Sequence, residues 1–155
     1  VFSLLPKLLE RTGKMEGRGS ITGLYTILVE GDDFNEPVAD AARSILDGHI
    51  TLTRELANRG HYPAVDILQS ISRVMIDIVD EEQRRMANNI QNILATYKKA
   101  EDLINIGAYV KGSNQDIDYA VGMIDKVNDF LRQSIHEKID IAKTKKQMVN
   151  LFKGN

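Results

Sequence analysis

The stretch of residues 60–75, GHYPAVDILQSISRVM, divides the chain into two kinds of sequence. Before it, segments rich in β-branched residues alternate with short helical patterns and glycine-containing turns, and after it apolar residues recur at helical spacing. Gly60 permits the positive φ that ends a helix, and Pro63 disfavours the α conformation at Tyr62. We therefore predict a loop-like hinge that presents Tyr62 between a mixed α/β segment and a helical one.

Three amphipathic helices are predicted after this hinge. Apolar side chains keep to one face from about residue 80 to 106, then over 117–131, and again from about 140 to 152. A capping sequence, Ser-Asn-Gln-Asp at 113–116, precedes the second helix. Amphipathic helices with short connections form bundles, so we predict a small helical domain over residues 76–155.

Residues 20–29, SITGLYTILV, are apolar on both faces of a predicted strand. Such a strand belongs inside a covered sheet, which is usually parallel. One or two strands cannot form that sheet alone, and the sequence opens on Val1 without a Met. We therefore expect a fragment of a longer protein, in which residues 1–75 are the trailing part of an α/β domain.

Composition excludes several classes of protein. Hydrophobic residues make up 43%, charged residues 27%, and the net charge is -2, which is typical of a globular chain. The absence of Cys excludes disulfides and Cys-based metal sites. His49, His61 and His136 have no second ligand at helical zinc spacing, so we expect packing residues and no metal site. Near-neutral charge without a basic, aromatic-interleaved stripe argues against a nucleic acid partner.

Few residues stand out as functional on pattern alone. Tyr62 fits a half-buried packing aromatic, and Arg73 fits a solvated or ion-paired surface residue. The turn at 107–113, GAYVKGS, contains Tyr109 but lacks the P-loop spacing, so a helix-to-helix turn explains it. The acidic loop at 30–37, EGDDFNEP, reads as a solvated loop in which Asn35 caps the next helix and Pro37 lies in its first turn.

Three stretches resemble the C-terminal part of the flagellar type III protein-export ATPases: GHYPAVDILQSISRVM, the preceding GSITGLYTILVEGDDFNEPVADAARSILDGHITLTRELANRG, and the later LINIGAYVKGS. That family is related to the catalytic subunits of rotary ATP synthases, and the resemblance runs from the first residue to about residue 152. It implies an α/β plus all-α fold, with the C-terminal portion of a RecA-like P-loop ATPase domain over 1–75 and a small helical bundle over 76–155.

The resemblance also implies roles for individual residues. Arg73 corresponds to an arginine finger that reaches the γ-phosphate bound by a neighbouring subunit. Tyr62 corresponds to the ring that packs on the adenine within its own subunit, and Tyr109 is a candidate to close the same pocket. In the related rotary ATPases the loop at 30–37 touches a central stalk, which makes Asp33, Asn35 and Glu36 candidate partner contacts.

The catalytic machinery is incomplete in this sequence. No P-loop occurs in the 155 residues, and no strand-terminal acidic residue is assigned to magnesium. We therefore expect Mg-ATP to be bound mainly by a preceding part, and the chain alone to be inactive as an ATP hydrolase. A finger acting in trans implies a ring, which by resemblance is a hexamer.

The resemblance further implies a setting and partners. The implied setting is a cytoplasmic location at the cytoplasmic face of the export apparatus, with membrane association only through the apparatus. The implied partners are stalk-like and stator-like export proteins and chaperone-substrate complexes. Ala108 favours the flagellar branch, because virulence-type ATPases tend to have Glu there. Two alternatives stay open: the equivalent part of a virulence type III secretion ATPase, and an interaction module for chaperones or substrates without a direct role in ATP hydrolysis.

Overall fold

The computed structural model describes residues 4–14, 16–17 and 19–153, which fall into two compact units. The first unit extends to His49 and the second begins at Ile50. β3 (Gly48–Leu52) crosses from one to the other and pairs with β4 (Val65–Ser72). Because β4 also contacts α5 (Glu81–Asn105), residues 50–75 belong to the same compact unit as the helices. The predicted boundary after residue 75 concerns the domains of the family and not these compact units. It therefore stays a prediction.

In its described residues, the first unit contains two short α-helices, one pair of short strands and a 3-10 helix. α1 (Leu5–Leu9) packs against α2 (Pro37–Ile45), and Leu9, Ala39 and Ala42 are buried. β1 (Gly13–Lys14) pairs antiparallel with β2 (Ser20–Ile21), with Gly13 opposite Ile21. A 3-10 helix (Glu30–Asp32) then precedes α2.

The strand predicted over residues 20–29 is wrong beyond its first two residues. Strand structure is limited to Ser20–Ile21, and Leu24 and Leu28 are 95% and 91% exposed. A strand apolar on both faces needs a neighbour on each edge and a layer on each face. No strand among the described residues pairs with 22–29, so the pattern has nothing here to pack against.

The helix after the acidic loop begins as its proline indicates. Pro37 occupies the first turn of α2, as predicted. Asn35 is not its cap, however: the N-cap is Glu36, which makes no side-chain capping bond. Proline favours the first helical position, so the residue directly before it becomes the N-cap. The backbone N–H of Asn35 instead donates to Asp33 Oδ1 at 3.0 Å.

In the second unit, the hinge predicted as loop-like contains a strand of eight residues. Thr53 is the N-cap of α3 (Arg54–Asn58), and its side chain accepts from the Leu56 N–H. Gly60, with a φ of 68°, follows the end of this helix. β4 follows, then α4 (Met75–Ile78). The signal for β4 was present in the sequence: Val65, Ile67 and Ile71 recur on alternate positions of a strand. Its polar residues and the nearby Gly and Pro favoured the loop interpretation.

The three helices predicted after the hinge are confirmed. α5, α6 (Gln115–Leu131) and α7 (Ile141–Leu151) are capped by the side chains of Asp80, Asn114 and Asp140. Each of these helices contacts the other two. Their shared core consists of buried apolar side chains on the inner faces of α5 and α6, namely Ile90, Ile93, Ala120, Met123 and Val127.

Candidate functional site

β4 is flanked by two of the three residues to which the family resemblance assigns nucleotide chemistry. Tyr62 precedes the strand by three positions and is 55% exposed, which is unusual for a large aromatic side chain. Arg73 follows directly after Ser72, the last residue of the strand, and is also exposed. Both side chains therefore reach solvent, while the strand between them, β4, is part of the fold.

Backbone hydrogen bonds hold the loop that carries Tyr62. The N–H of His61 donates to the Leu56 carbonyl at 2.9 Å, and the N–H of Thr53 donates to the Ala64 carbonyl at 3.0 Å. A third bond comes from another element: the N–H of Gln133, just after α6, donates to the Tyr62 carbonyl at 2.8 Å. The ring thus projects from a backbone that is fixed on several sides.

The strand that leads to Arg73 is bent. Asp66 Oδ1 accepts from the N–H groups of Leu68 at 2.9 Å and Gln69 at 3.0 Å. Ser70 Oγ donates to the Asp66 carbonyl at 2.6 Å, a contact between residues four apart that a fully extended strand does not permit. These side-chain bonds replace part of the regular ladder, and they define the course of the chain just before Arg73.

Tyr109 closes the turn between α5 and α6. Its hydroxyl donates to Asp118 Oδ1 at 2.7 Å and lies 3.2 Å from the Asn114 carbonyl oxygen, while the N–H of Gly112 donates to Asp118 Oδ2 at 2.8 Å. Partial removal from water, together with donation to Asp118, raises the pKa of Tyr109. The predicted helix-to-helix turn is therefore confirmed, and Asp118 is its central acceptor.

The structure does not bring Tyr62 and Tyr109 together. Asp118, which binds Tyr109, lies near the start of α6, whereas Gln133, which binds Tyr62, lies beyond its end. At 1.5 Å per residue, the two attachment points are about 20 Å apart along the helix. This geometry argues against one pocket closed by both rings of a single chain.

The acidic loop belongs to the first unit. Asp33 and Asn35 are exposed and Glu36 is half-buried. Arg43 of α2 donates to the Phe34 carbonyl at 2.9 Å, which ties the loop to the helix that follows it. Asp33 and Asn35 are thus accessible on a braced loop.

A cleft that the sequence did not indicate lies among α3, β4, α5 and α6. Its lining includes His61, Leu56, Leu94 and Asn128, and it contains Arg59, which pairs with Glu55 at 2.9 Å and Glu101 at 3.0 Å. His61 is 4% exposed, as its predicted packing role requires, whereas the packing role predicted for His136 is wrong because that residue is exposed. Burial, with a smaller effect from the Arg132 charge, lowers the pKa of His61.

Sequence reasoning missed Gln133 and Thr51 as residues that support the site. Gln133 acts through its backbone N–H, which every residue except proline has, so no sequence pattern marks it. Thr51 carried only the signal of a β-branched residue in a short predicted strand. Its role in fixing β4 depends on Ser70, which lies elsewhere in the sequence.

The part of the chain that the structure describes shows neither a membrane-spanning helix nor a cluster of metal-binding side chains. None of its helices combines the length and apolar character needed to cross a membrane. No three His, Cys, Asp or Glu side chains within it cluster in a way that could hold a metal ion.

Two family models match consecutive parts of the chain. Residues 1–72 match the nucleotide-binding domain of the ATP synthase alpha/beta family, and residues 79–150 match the T3SS EscN ATPase C-terminal domain. The boundary between the two matches lies between β4 and α5. Tyr62 lies in the first matched region and Tyr109 in the second, while Arg73 is the residue directly after the first.

Similar proteins point the same way. The flagellum-specific ATP synthase of Bacillus subtilis is 53% identical over 137 residues, which is 88% of this chain and 31% of that protein. The assembled ATPase EscN of the enteropathogenic E. coli type III secretion system has a TM-score of 0.91 and 45% identity, over 97% of this chain and 36% of that one. The same ATPase in complex with its central stalk EscO has a TM-score of 0.85 and 43% identity, over 97% of this chain and 35% of that one.

These similarities confirm the predicted fold class, a C-terminal portion of a RecA-like ATPase domain followed by helices. The chain spans about a third of the length of the relatives it matches. Those relatives are named as a flagellum-specific ATP synthase and as an ATPase of a type III secretion system. The chain therefore belongs to the family of ATP synthase-like ATPases, with matches to their nucleotide-binding domain and to the T3SS EscN C-terminal domain, and its relatives are named for flagellar and type III secretion systems.

Proposed function

We propose that this chain is the C-terminal part of an ATPase subunit that energises flagellar type III protein export. The observation that carries the proposal is the exposure of Tyr62 and Arg73 on either side of β4, at the end of the region that matches a nucleotide-binding domain. A tyrosine that only stabilises the fold would be expected to pack more fully, whereas exposure is ordinary for an arginine, so the role of Arg73 rests on family resemblance. In this proposal one side chain contacts the base and the other contacts a phosphate.

Arg73 acts as an arginine finger in trans. Negative charge spreads over the γ-phosphate oxygens during phosphoryl transfer, and a guanidinium that reaches them from a neighbouring subunit raises the rate by a factor on the order of 10³ or more. The planar guanidinium offers two parallel N–H donors, which an ammonium group does not. The bonds between Asp66 and Ser70 and between Ser70 and Thr51 fix the segment before Arg73, which limits the conformational entropy lost when it docks.

A ring of subunits follows from a finger that acts on its neighbour. We propose a homo-oligomer, which by family resemblance is a hexamer, and the related EscN has been solved in an assembled form. ATP is the substrate, and it is bound mainly by a preceding part of the subunit. Since this sequence has no P-loop, we propose that the chain alone does not hydrolyse ATP.

Tyr62 packs on the adenine of the nucleotide in its own subunit. An exposed ring on a fixed backbone offers a flat π-face to a base at little cost in entropy. Phe in its place would retain this contact, whereas Ala would lose it. For Tyr109 we propose no contact with the same base, because its hydroxyl is bound to Asp118 at the other end of α6.

Asp33, Asn35 and Glu36 are the proposed contacts to a central stalk. The loop is acidic, and the related EscN has been solved with its stalk EscO. A basic stalk surface would complement the loop, and rim charges of this kind mainly affect association rate and specificity. The cytoplasmic location, the stator-like partners and the chaperone-substrate complexes belong to the same proposal and rest on family resemblance.

The experiment that tests the catalytic role replaces Arg73 by Lys in the full-length subunit. We expect nucleotide affinity and fold to be kept while kcat falls at least tenfold, because Lys keeps the charge but loses the two-pronged donor. Arg84→Lys, at an exposed position on α5, is the matched control and should leave turnover unchanged. Wild-type turnover in Arg73→Lys would remove the residue from catalysis and favour the interaction-module alternative.

A further inference from the structure

We propose that Gln133, through its backbone N–H, positions Tyr62 for its contact with the base, so that nucleotide affinity depends on the end of α6. Gln133 is the second residue after Leu131, where α6 ends, and its N–H donates to the Tyr62 carbonyl at 2.8 Å. The inference rests on the proposed contact of Tyr62 with adenine. It adds a positioning residue from the helical part of the chain.

The side chain of Tyr62 has little packing of its own. It is 55% exposed, whereas His61 directly before it is 4% exposed. One residue thus anchors the loop while the next projects into solvent. Because packing restrains the ring weakly, its position follows from the course of the backbone at residues 61–64.

Three backbone hydrogen bonds define that course. The bonds from His61 to Leu56 and from Thr53 to Ala64 join residues within one local segment. The bond from Gln133 joins the loop to a different element of the fold, the segment that leaves α6. Without it, the local bonds still close the loop, but only the buried side chain of His61 then holds the loop against the helices.

The sequence offers a way to remove this bond with little other change. Proline has no N–H, so Gln133→Pro deletes the donor. Proline requires an extended residue before it, and Arg132 already has φ -78° and ψ 141°. The Gln133 side chain makes a separate bond, from Nε2 to the Glu137 carbonyl at 3.0 Å. Gln133→Ala deletes only that side-chain bond and is the matched control.

The test measures the affinity of the full-length subunit for a fluorescent ADP analogue. We expect Gln133→Pro to weaken binding by roughly 2- to 10-fold, the range of one lost hydrogen bond. Gln133→Ala should bind within about twofold of wild type. Adding Gln133→Pro to Tyr62→Ala should weaken binding no further, because the ring to be positioned is then absent.

The outcomes separate this inference from the proposed function. If Tyr62→Ala weakens binding and Gln133→Pro matches Gln133→Ala, the positioning role is overturned and the base contact stands. An equal loss on the Tyr62→Ala background also overturns positioning. If Tyr62→Ala leaves affinity unchanged, the base contact fails, and the positioning role fails with it.

A second measurement needs no proline and covers the case in which Gln133→Pro fails to fold. Amide hydrogen exchange at residues 132–135 of the wild-type subunit is compared with and without ADP. We expect slower exchange with ADP, because a ring fixed by the base holds the Tyr62 carbonyl against the Gln133 N–H. The same comparison in Tyr62→Ala should show no slowing, and unchanged exchange in wild type would overturn the inference.

Discussion

The backbone N–H of Thr51 donates to Ser70 Oγ at 3.0 Å, and Thr51 Oγ1 donates to the Gln69 carbonyl at 3.2 Å. Thr51 is buried in β3, and Ser70 lies where β4 is bent by its bond to the Asp66 carbonyl. Because β4 is bent here, the N–H of Thr51 has a serine hydroxyl as its acceptor in place of a backbone carbonyl. Through this pair, β3 fixes the strand three residues before Arg73.

Ser70→Ala should destabilise the fold and slow catalysis together. The substitution leaves the buried N–H of Thr51 without its acceptor, which costs about 1–3 kcal/mol of unfolding free energy. Urea denaturation of the chain measures that loss, and kcat of the full-length subunit reports the displaced Arg73. Ser72→Ala, at an exposed position in the same strand, is the control. Equal stability of the two variants would contradict the role given to Ser70.

His61 should make the fold sensitive to mild acid. Burial and the Arg132 charge lower its pKa below the ordinary histidine value of about 6.5, so the unfolded chain takes up a proton first as pH falls. The stability linked to His61 is therefore fully present above pH 6.5 and is lost as pH falls through the folded pKa. Asp80 also has a lowered pKa, through its hydrogen bond to Lys145, but a carboxyl group changes its protonation at lower pH than a histidine does.

Urea midpoints measured between about pH 7.5 and pH 5 test this assignment. His61→Gln should flatten the decline of stability over that range, because the residue that differs in protonation between the two states is gone. His136→Gln, at an exposed position, should leave the decline as it is. The cleft around His61 also holds charged groups, namely Glu55, Arg59, Asp66, Lys98 and Glu101, and all of them remain in both variants. An unchanged decline in His61→Gln would assign the acid sensitivity to another group.

The helical part of the fold was predictable because its determinants are local. A capping side chain lies within three residues of the N–H it binds, as Asp80 does with Gln83, and an apolar stripe repeats within one helix. The sheet part was not, since strand pairing depends on residues far apart in sequence. Residues 20–29 have the composition of a buried strand, yet strand structure ends at Ile21.

The sequence predicted the candidate site only where the identity of a side chain indicates a role. Tyr62 and Arg73 were selected by resemblance, and the structure adds their exposure at the two ends of β4. What supports Tyr62 is a backbone donor 71 positions away, at Gln133, and backbone groups leave no trace in a sequence. For Tyr109 the ligand role also came from resemblance and stays a prediction, while the structure adds that its hydroxyl donates to Asp118.

Mixed rings should show that Arg73 acts across a subunit interface. Arg73→Ala subunits retain a working phosphate site, and subunits with a disabled P-loop retain a working finger, so neither kind alone should turn over ATP. When the two co-assemble, some interfaces pair an intact site with an intact finger, and activity should return in proportion to the number of such interfaces. Rings of Arg73→Ala mixed with Arg73→Lys subunits are the control, because no interface in them is complete. Mixed rings that co-assemble yet stay inactive would contradict a finger in trans, since a residue acting on its own subunit's nucleotide cannot be supplied by a neighbour.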